Sequence, residues 1–312
     1  MKGVRMRDFS IGEAGLVGFR LTRERPRAIA VWCGLNLVFS FVSLLVLVGI
    51  GGPALNTLQA TTESTAAQDP AATMALFNQL LPAYGLFVLI WLAFSAVMAA
   101  AASRAVLHPQ DETLGYVRFG ADELRVLAVL VVVGVILFFA YMGASVASGL
   151  VLAIVMGVTG GAGGAAGATG LMLVMIPLVM LGILWLWTRF SLAVPMTLAR
   201  GRVDVFGSWA LTKGRSGKVF LTYLAAFALY LLVAMLGLAI SLGVGAAISG
   251  GDGPLEAMMR PDMSSIGAYF TPAMIANTIV MAVIGGLGSA IVLCPPAVIY
   301  AALAGEQLHE VF

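Results

Sequence analysis

Ionisable side chains are scarce in this chain. Only 10% of its 312 residues are Asp, Glu, Lys or Arg, against about 25% in a soluble domain. Apolar residues make up 61%, so too little polar surface is available to coat a water-soluble globule, and lipid is the expected solvent. A net charge of +2 is too small to suggest a nucleic-acid partner, and none is expected. The two cysteines, Cys33 and Cys294, sit far apart inside apolar stretches and form neither a disulfide framework nor a zinc site. The two histidines, His108 and His309, have no Cys, His or Glu-x-x-His partner at metal spacing. The glycine-rich stretch 157–170 lacks the Gly-Lys-Ser/Thr ending that cradles phosphates and reads as a hairpin connector. No metal, no cofactor and no catalytic constellation is expected.

Long apolar runs are what the chain has. Six segments exceed the roughly 20 residues a helix needs to cross the hydrocarbon, at about 28–52, 81–103, 126–157, 171–193, 219–249 and 273–304. They are apolar all round, without the alternation of a membrane barrel. The expected fold is an all-α integral membrane protein, a single domain over 1–312 with a cytoplasmic amphipathic segment at 1–27. All of the 17 lysines and arginines except Arg260 fall within 1–27, 104–125 and 189–218. Basic and non-basic connections thus alternate, as the positive-inside rule requires for six crossings with both termini in the cytoplasm. No apolar core with a cleavage site occupies the first 27 residues, so the first span is expected to stay. The outer connection 53–80 reads as an exposed loop whose end, from Met74, extends the second helix.

The basic stretches precede pairs of spans, which suggests three quasi-repeated hairpins. Phe19–Arg25 reads F-R-L-T-R-E-R, and Trp209–Arg215 reads W-A-L-T-K-G-R; Tyr116–Arg125 is a weaker counterpart. Ser10-x-x-Glu13 has capping-box spacing. Ile11, Ala14, Gly18 and Leu21 then share one helical face. Asp204 is the expected cap of the later lead-in and Gly214 its end. Basic helices with aromatic apolar faces can lie in the membrane plane, beside an anionic leaflet, so short cytoplasmic interfacial helices are expected. Small-residue stripes at Gly149/Ala153/Gly157, Ser95/Ala99/Ser103 and Gly237/Ser241 predict close helix packing. Pro177 and Pro295–Pro296 predict kinks.

Candidate binding residues follow from the basic lead-ins. Arg189 comes just after Trp185–Trp187, where its stem can snorkel. With Trp209, Lys213 and Arg215 it forms one basic collar, and Arg20, Arg23 and Arg25 form the first-repeat counterpart. The acidic pairs Asp111–Glu112 and Asp122–Glu123 read as solvated charges beside Arg118 and Arg125. The centres of the spans carry no ionisable residue, which argues against a proton relay. Asn36 and Asn277 are the polar groups that a cavity between hairpins would use.

The segment R-F-S-L-A-V-P-M-T-L-A-R-G, Arg189–Gly201, followed by S-W-A-L-T-K-G-R, Ser208–Arg215, resembles the membrane domain associated with glycerophosphoryl diester phosphodiesterases. It is also similar to six-helix bacterial inner-membrane proteins of unknown role. The resemblance implies a six-helix module of the bacterial inner membrane, associated with lipid. The family's catalytic barrel would need roughly 250 further residues, so the enzyme activity is not expected here. The reading is a non-enzymatic multi-pass protein that binds membrane lipids, anionic ones above all, or an unidentified membrane or cytoplasmic protein through its basic collars. The alternative is a transporter or channel for an uncharged or amphipathic solute.

Overall fold

The computed structural model describes residues 9–63, 70–158, 164–249 and 260–305. Among them every regular element is helical and no strand forms. In chain order the helices are α1 (Ile11–Glu24), α2 (Pro26–Glu63), α3 (Pro70–Leu107), α4 (Ala121–Val158), α5 (Gly164–Phe190), α6 (Ala193–Arg200), α7 (Phe206–Thr212), α8 (Ser216–Ser249), α9 (Ile266–Tyr269), α10 (Pro272–Leu293) and α11 (Pro295–Ala304). Six stretches are long and apolar enough to cross a membrane: Pro26–Ala60, Ala71–Leu107, Leu114–Val158, Thr169–Arg200, Ser216–Ile248 and Pro272–Ala304. That is the geometry of a multi-pass membrane protein. Large apolar side chains such as Leu89, Phe139, Leu173 and Leu232 stand exposed along the long helices, on a scale that water-soluble surfaces do not carry. Lys2, Arg5, Arg7, Asp69, residues 159–163 of the glycine-rich stretch, Asp252, Glu256 and His309 lie outside the described residues.

The connections away from the basic stretches are shorter than the apolar runs predict. α2 continues through Pro53 to Glu63 and α3 begins at Pro70, so most of the expected loop 53–80 is helix. Residues 164–170, expected in the glycine-rich connector, belong to α5. Proline and glycine lower helix propensity in water, but hydrocarbon offers an exposed backbone no other partner, so helices persist through them. Pro82 and Pro177 likewise lie within continuous helices. The sixth span does break where Pro295–Pro296 predict it: α10 ends at Leu293 and α11 starts at Pro295, hinged at Cys294.

α10 is the centre of the bundle. It packs on α8 and α2, and also on α1 and α3. Half of the most apolar window of the last span is buried (50%), against 0% for the span that contains α5, so α5 is the edge. Close approach at the centre needs small residues. A Cβ on Gly286 would stand 2.7 Å from the Cys33 nitrogen, and the ring of Tyr230 lies over Gly288. The expected stripe containing Gly237 and Ser241 does face α10: Ile284 fills the space above Gly237, and Ser241 donates to Asn277 Oδ1 at 2.5 Å. Ser103 is buried as expected. The stripe Gly149/Ala153/Gly157 is different. Nothing comes within 4 Å of a Cβ at Gly149 or Gly157, so small residues there leave space instead of closing it.

The N-terminal lead-in also departs from expectation. Ser10 caps α1, accepting from the Glu13 N–H at 3.5 Å. The face formed by Ala14, Val17, Gly18 and Leu21 is then buried against α10, α8 and α11. It rests on protein rather than on lipid, because Gly18 lets the two backbones touch: a Cβ there would lie 2.5 Å from Ile291 Cα. Leu16 and Phe19, on the other side of α1, remain exposed.

Candidate functional site at the charged helix ends

The ends of α1, α3, α5 and α11 and the starts of α2, α4 and α8 bring the basic stretches to one end of the bundle. The α5–α7 corner is built around Ser208. Its hydroxyl donates to the Arg189 carbonyl at 2.7 Å and accepts from the Leu192 N–H at 3.2 Å, bridging the α5–α6 joint. Thr212 donates back to the Ser208 carbonyl at 2.9 Å. Ser191 closes the joint from the other side, donating to the Thr188 carbonyl at 2.8 Å. Asp204 accepts from the Gly207 N–H at 2.9 Å and pairs with Arg200 at 2.5 Å, so it serves the first turn of α7 from one residue before the N-cap, Val205. Gly214, at φ 80°, ends the lead-in in the left-handed region. The R-F-S-L-A and S-W-A-L-T segments are thus two halves of one corner, with Leu192, Ala193, Ser208 and Thr212 fully buried.

That corner places Arg189 against a pair of indoles. Its guanidinium carbon lies 5.1 Å from the Trp185 ring centre and 5.2 Å from that of Trp209. The two indoles meet edge to face at 5.6 Å, and Phe190 flanks Trp209 at 5.6 Å. Cations over indole faces are stabilised by about 0.5–2 kcal/mol, more as water is excluded. Nε and Nη1 of Arg189 are buried and meet no acceptor from the protein among the described residues. Nη1 of Arg215 is buried without an acceptor as well. Among the other expected collar residues, Lys213 is exposed. Trp185, expected only as a marker of the interface, is half of the clamp.

The first collar is not a free basic patch. Arg25 pairs with Glu112. Hydrogen bonding to that carboxylate raises the Arg25 pKa above its ordinary value. Arg23 is exposed, and Arg20 is exposed but engaged within the protein. The structure therefore unites Arg189 with Trp209 and Trp185 and pairs Arg25 with Glu112.

The middle basic stretch, 104–125, holds a group that charge patterning did not reveal. Glu123 is buried, not solvated. Its Oε1 lies 2.6 Å from Nη2 of Arg104, and both side chains are under 10% exposed. Arg104 also donates to the Tyr116 carbonyl at 3.1 Å. Removing one partner of such a buried pair costs roughly 3–5 kcal/mol. The solvated reading holds for Arg118–Asp111 (3.6 Å) and Arg125–Asp122 (2.6 Å), which are partly exposed. Between Arg104 and Glu123 runs a tight 3₁₀ turn, Leu114–Tyr116, with Leu114 at φ 46° and Tyr116 at φ 65°. Such conformations cost of order 1–3 kcal/mol each and persist because neighbours fix them. Trp32 donates from Nε1 to the Gly115 carbonyl at 2.8 Å, and Tyr116 donates to the Pro109 carbonyl at 3.0 Å. Trp32 and Tyr116 are completely buried.

Beside this turn, α2, α3 and the start of α4 enclose a groove of about 570 Å³, lined almost wholly by apolar atoms and ending at Gly120 and Glu123. A second cleft of about 290 Å³ separates α4 from α5, where Gly149 leaves room beside Met172, Met175 and Met180. Asn36 and Asn277 line neither. Asn36 donates to the Trp32 carbonyl at 2.9 Å and faces Gly285, while Asn277 is the acceptor for Ser241. Both are engaged in contacts within and between helices. Among the described residues no group of three or more His, Cys, Asp or Glu comes together to hold a metal ion.

No protein family, curated protein or solved structure matches this chain; the functional reading therefore rests on the geometry above.

Proposed function

We propose that this chain is a non-enzymatic multi-pass protein of the bacterial inner membrane, with both termini cytoplasmic, that binds anionic lipid phosphate at the α5–α7 corner. One observation carries this reading: Arg189 is held against Trp185 and Trp209 with Nε and Nη1 lacking a protein acceptor among the described residues. A buried charged donor without an acceptor is costly. Tryptophans gather at the headgroup level of a bilayer, and guanidinium matches phosphate with paired hydrogen bonds. A lipid phosphate supplies the acceptor at that depth. Arg215, Lys213 and Lys218 add positive charge where the inner leaflet is anionic.

The three-hairpin repeat is part of the same proposal. The pairs α2 with α3, α4 with α5, and α8 with α10 pack on one another. Thr22 and Thr212, equivalent in the two lead-ins, donate to the carbonyls of Gly18 and Ser208, each four residues earlier. The middle lead-in is a 3₁₀ turn rather than a helix, which accounts for its weaker match. The resemblance to the phosphodiesterase-associated membrane domain also supports the reading, because its R-F-S-L-A and S-W-A-L-T segments are the ones that build the corner.

Native mass spectrometry of the protein extracted in mild detergent tests it. Wild-type protein should retain anionic phospholipid, and Arg189→Gln should lose most of it, while Arg23→Gln, at an exposed position of the other collar, should not. Equal retention by wild type and R189Q would sink the proposal.

A further inference from the structure

We infer that the groove between α2, α3 and α4 is a second binding site, distinct from the collar, for one lipid chain whose head donates a hydrogen bond and carries no negative charge. Its walls are apolar, with Val38 and Phe39 from α2, Ala93 and Phe94 from α3, and Leu127 from α4. Phe39 and Phe94, both in the lining, stack at 4.2 Å. The volume, about 570 Å³, lies within the range of ligand sites, about 300–1,000 Å³, and suits a single extended chain rather than a whole diacyl lipid. Val38 and Leu124 stand exposed at its open side, so a chain enters laterally from the bilayer.

The head-group preference comes from the end formed by Gly120 and Glu123. Glu123 is the one ionisable residue in the lining. Its Oε1 faces Arg104, while its Oε2 lies over Gly120, 3.7 Å from where a Cβ would stand. A carboxylate oxygen only accepts hydrogen bonds. A hydroxyl head is therefore complementary, and an anionic head is repelled at short range inside a low-dielectric site. Glu123 is already charge-compensated by Arg104, so the head need bring no charge. The strained Leu114–Tyr116 turn, locked by Trp32 and Arg104, holds the connector that carries Phe119 and Gly120 to the mouth. Energy is thereby spent on fixing this end of the groove, as at preorganised ligand sites. This chemistry is opposite to that of the Arg189 corner, which favours phosphate, and the two sites are formed by different helices.

The test uses the full chain in phosphatidylcholine nanodiscs and two photoreactive diazirine probes of equal chain length. One is a monoacylglycerol analogue; the other carries a sulfonate head. Labelled peptides are mapped by mass spectrometry. The monoacylglycerol probe should label the α2, α3 and α4 segments of the groove about tenfold more than the sulfonate probe, the ratio that one charge-assisted hydrogen bond supports. Ala93→Trp, which fills the groove from an exposed position and touches neither Arg104 nor Glu123, should abolish that labelling. Glu123→Gln should bring the two probes toward parity. Equal labelling by both probes in the wild type, or labelling that A93W leaves unchanged, overturns the inference. Because Arg189 lines no part of the groove, labelling retained in R189Q separates this result from the outcome at the collar.

Discussion

At the scale of single residues, the decisive groups are those whose surroundings leave them no alternative. Gly18 is one. With Ala290 and Ile291 backbone where its Cβ would be, Gly18→Ala forces α1 away from α10. Overpacking of this kind costs about 1–3 kcal/mol, and here the obstructing atoms are main chain and cannot rotate aside. Gly12→Ala on the same helix meets only Ser10 Oγ at 3.9 Å and should be neutral or slightly stabilising, since alanine is the better helix former. Thermal unfolding in detergent should show G18A falling by several degrees and G12A unchanged. The sequence marked Gly18 correctly as part of an inward face, because periodicity reports faces. It gave no sign that the face meets protein, since the partner, Ile291, is remote in the chain. Glu123 was misread for a related reason. An Asp-Glu pair beside arginines resembles a solvated patch, and only the fold brings Arg104 from α3 against one member of it.

At the scale of elements, helix existence was legible and helix limits were not. Apolar run length decides which segments enter hydrocarbon, and that signal is strong in all six. Proline and glycine mark ends in soluble helices, yet Pro53, Pro82 and Gly164–Gly170 lie within or begin long helices here. The double Pro295–Pro296, in contrast, interrupts its span. The corner between α5 and α7 was legible as a motif but not as a mechanism. Its organising atom is the Ser208 hydroxyl, which serves two main-chain groups at once. Ser208→Ala leaves the Leu192 N–H and the Arg189 carbonyl without that partner inside a dry joint, a loss of about 1–3 kcal/mol. The expected result is a lower unfolding midpoint accompanied by blue-shifted or weakened tryptophan fluorescence, because Trp209 no longer stands against Arg189. A change in stability without any change in tryptophan emission would mean that the joint does not position the clamp.

At the scale of the molecule, three basic stretches gather at one end of a bundle whose sides are apolar. Polar groups surrounded by hydrocarbon take the nearest partner; for Asn277 that is Ser241, and for Asn36 its own helix. The two proposed sites lie toward its charged end, one basic and aromatic, the other apolar with a single carboxylate. Both depend on that end lying at the cytoplasmic leaflet. Accessibility labelling tests this most directly. Cys33 and Cys294 are replaced by alanine, and single cysteines are placed at the exposed positions Arg23, Arg118 and Lys213. A membrane-impermeant maleimide is then applied to spheroplasts before and after permeabilisation. The account predicts reaction at all three sites only after permeabilisation; reaction at any of them in sealed spheroplasts contradicts it.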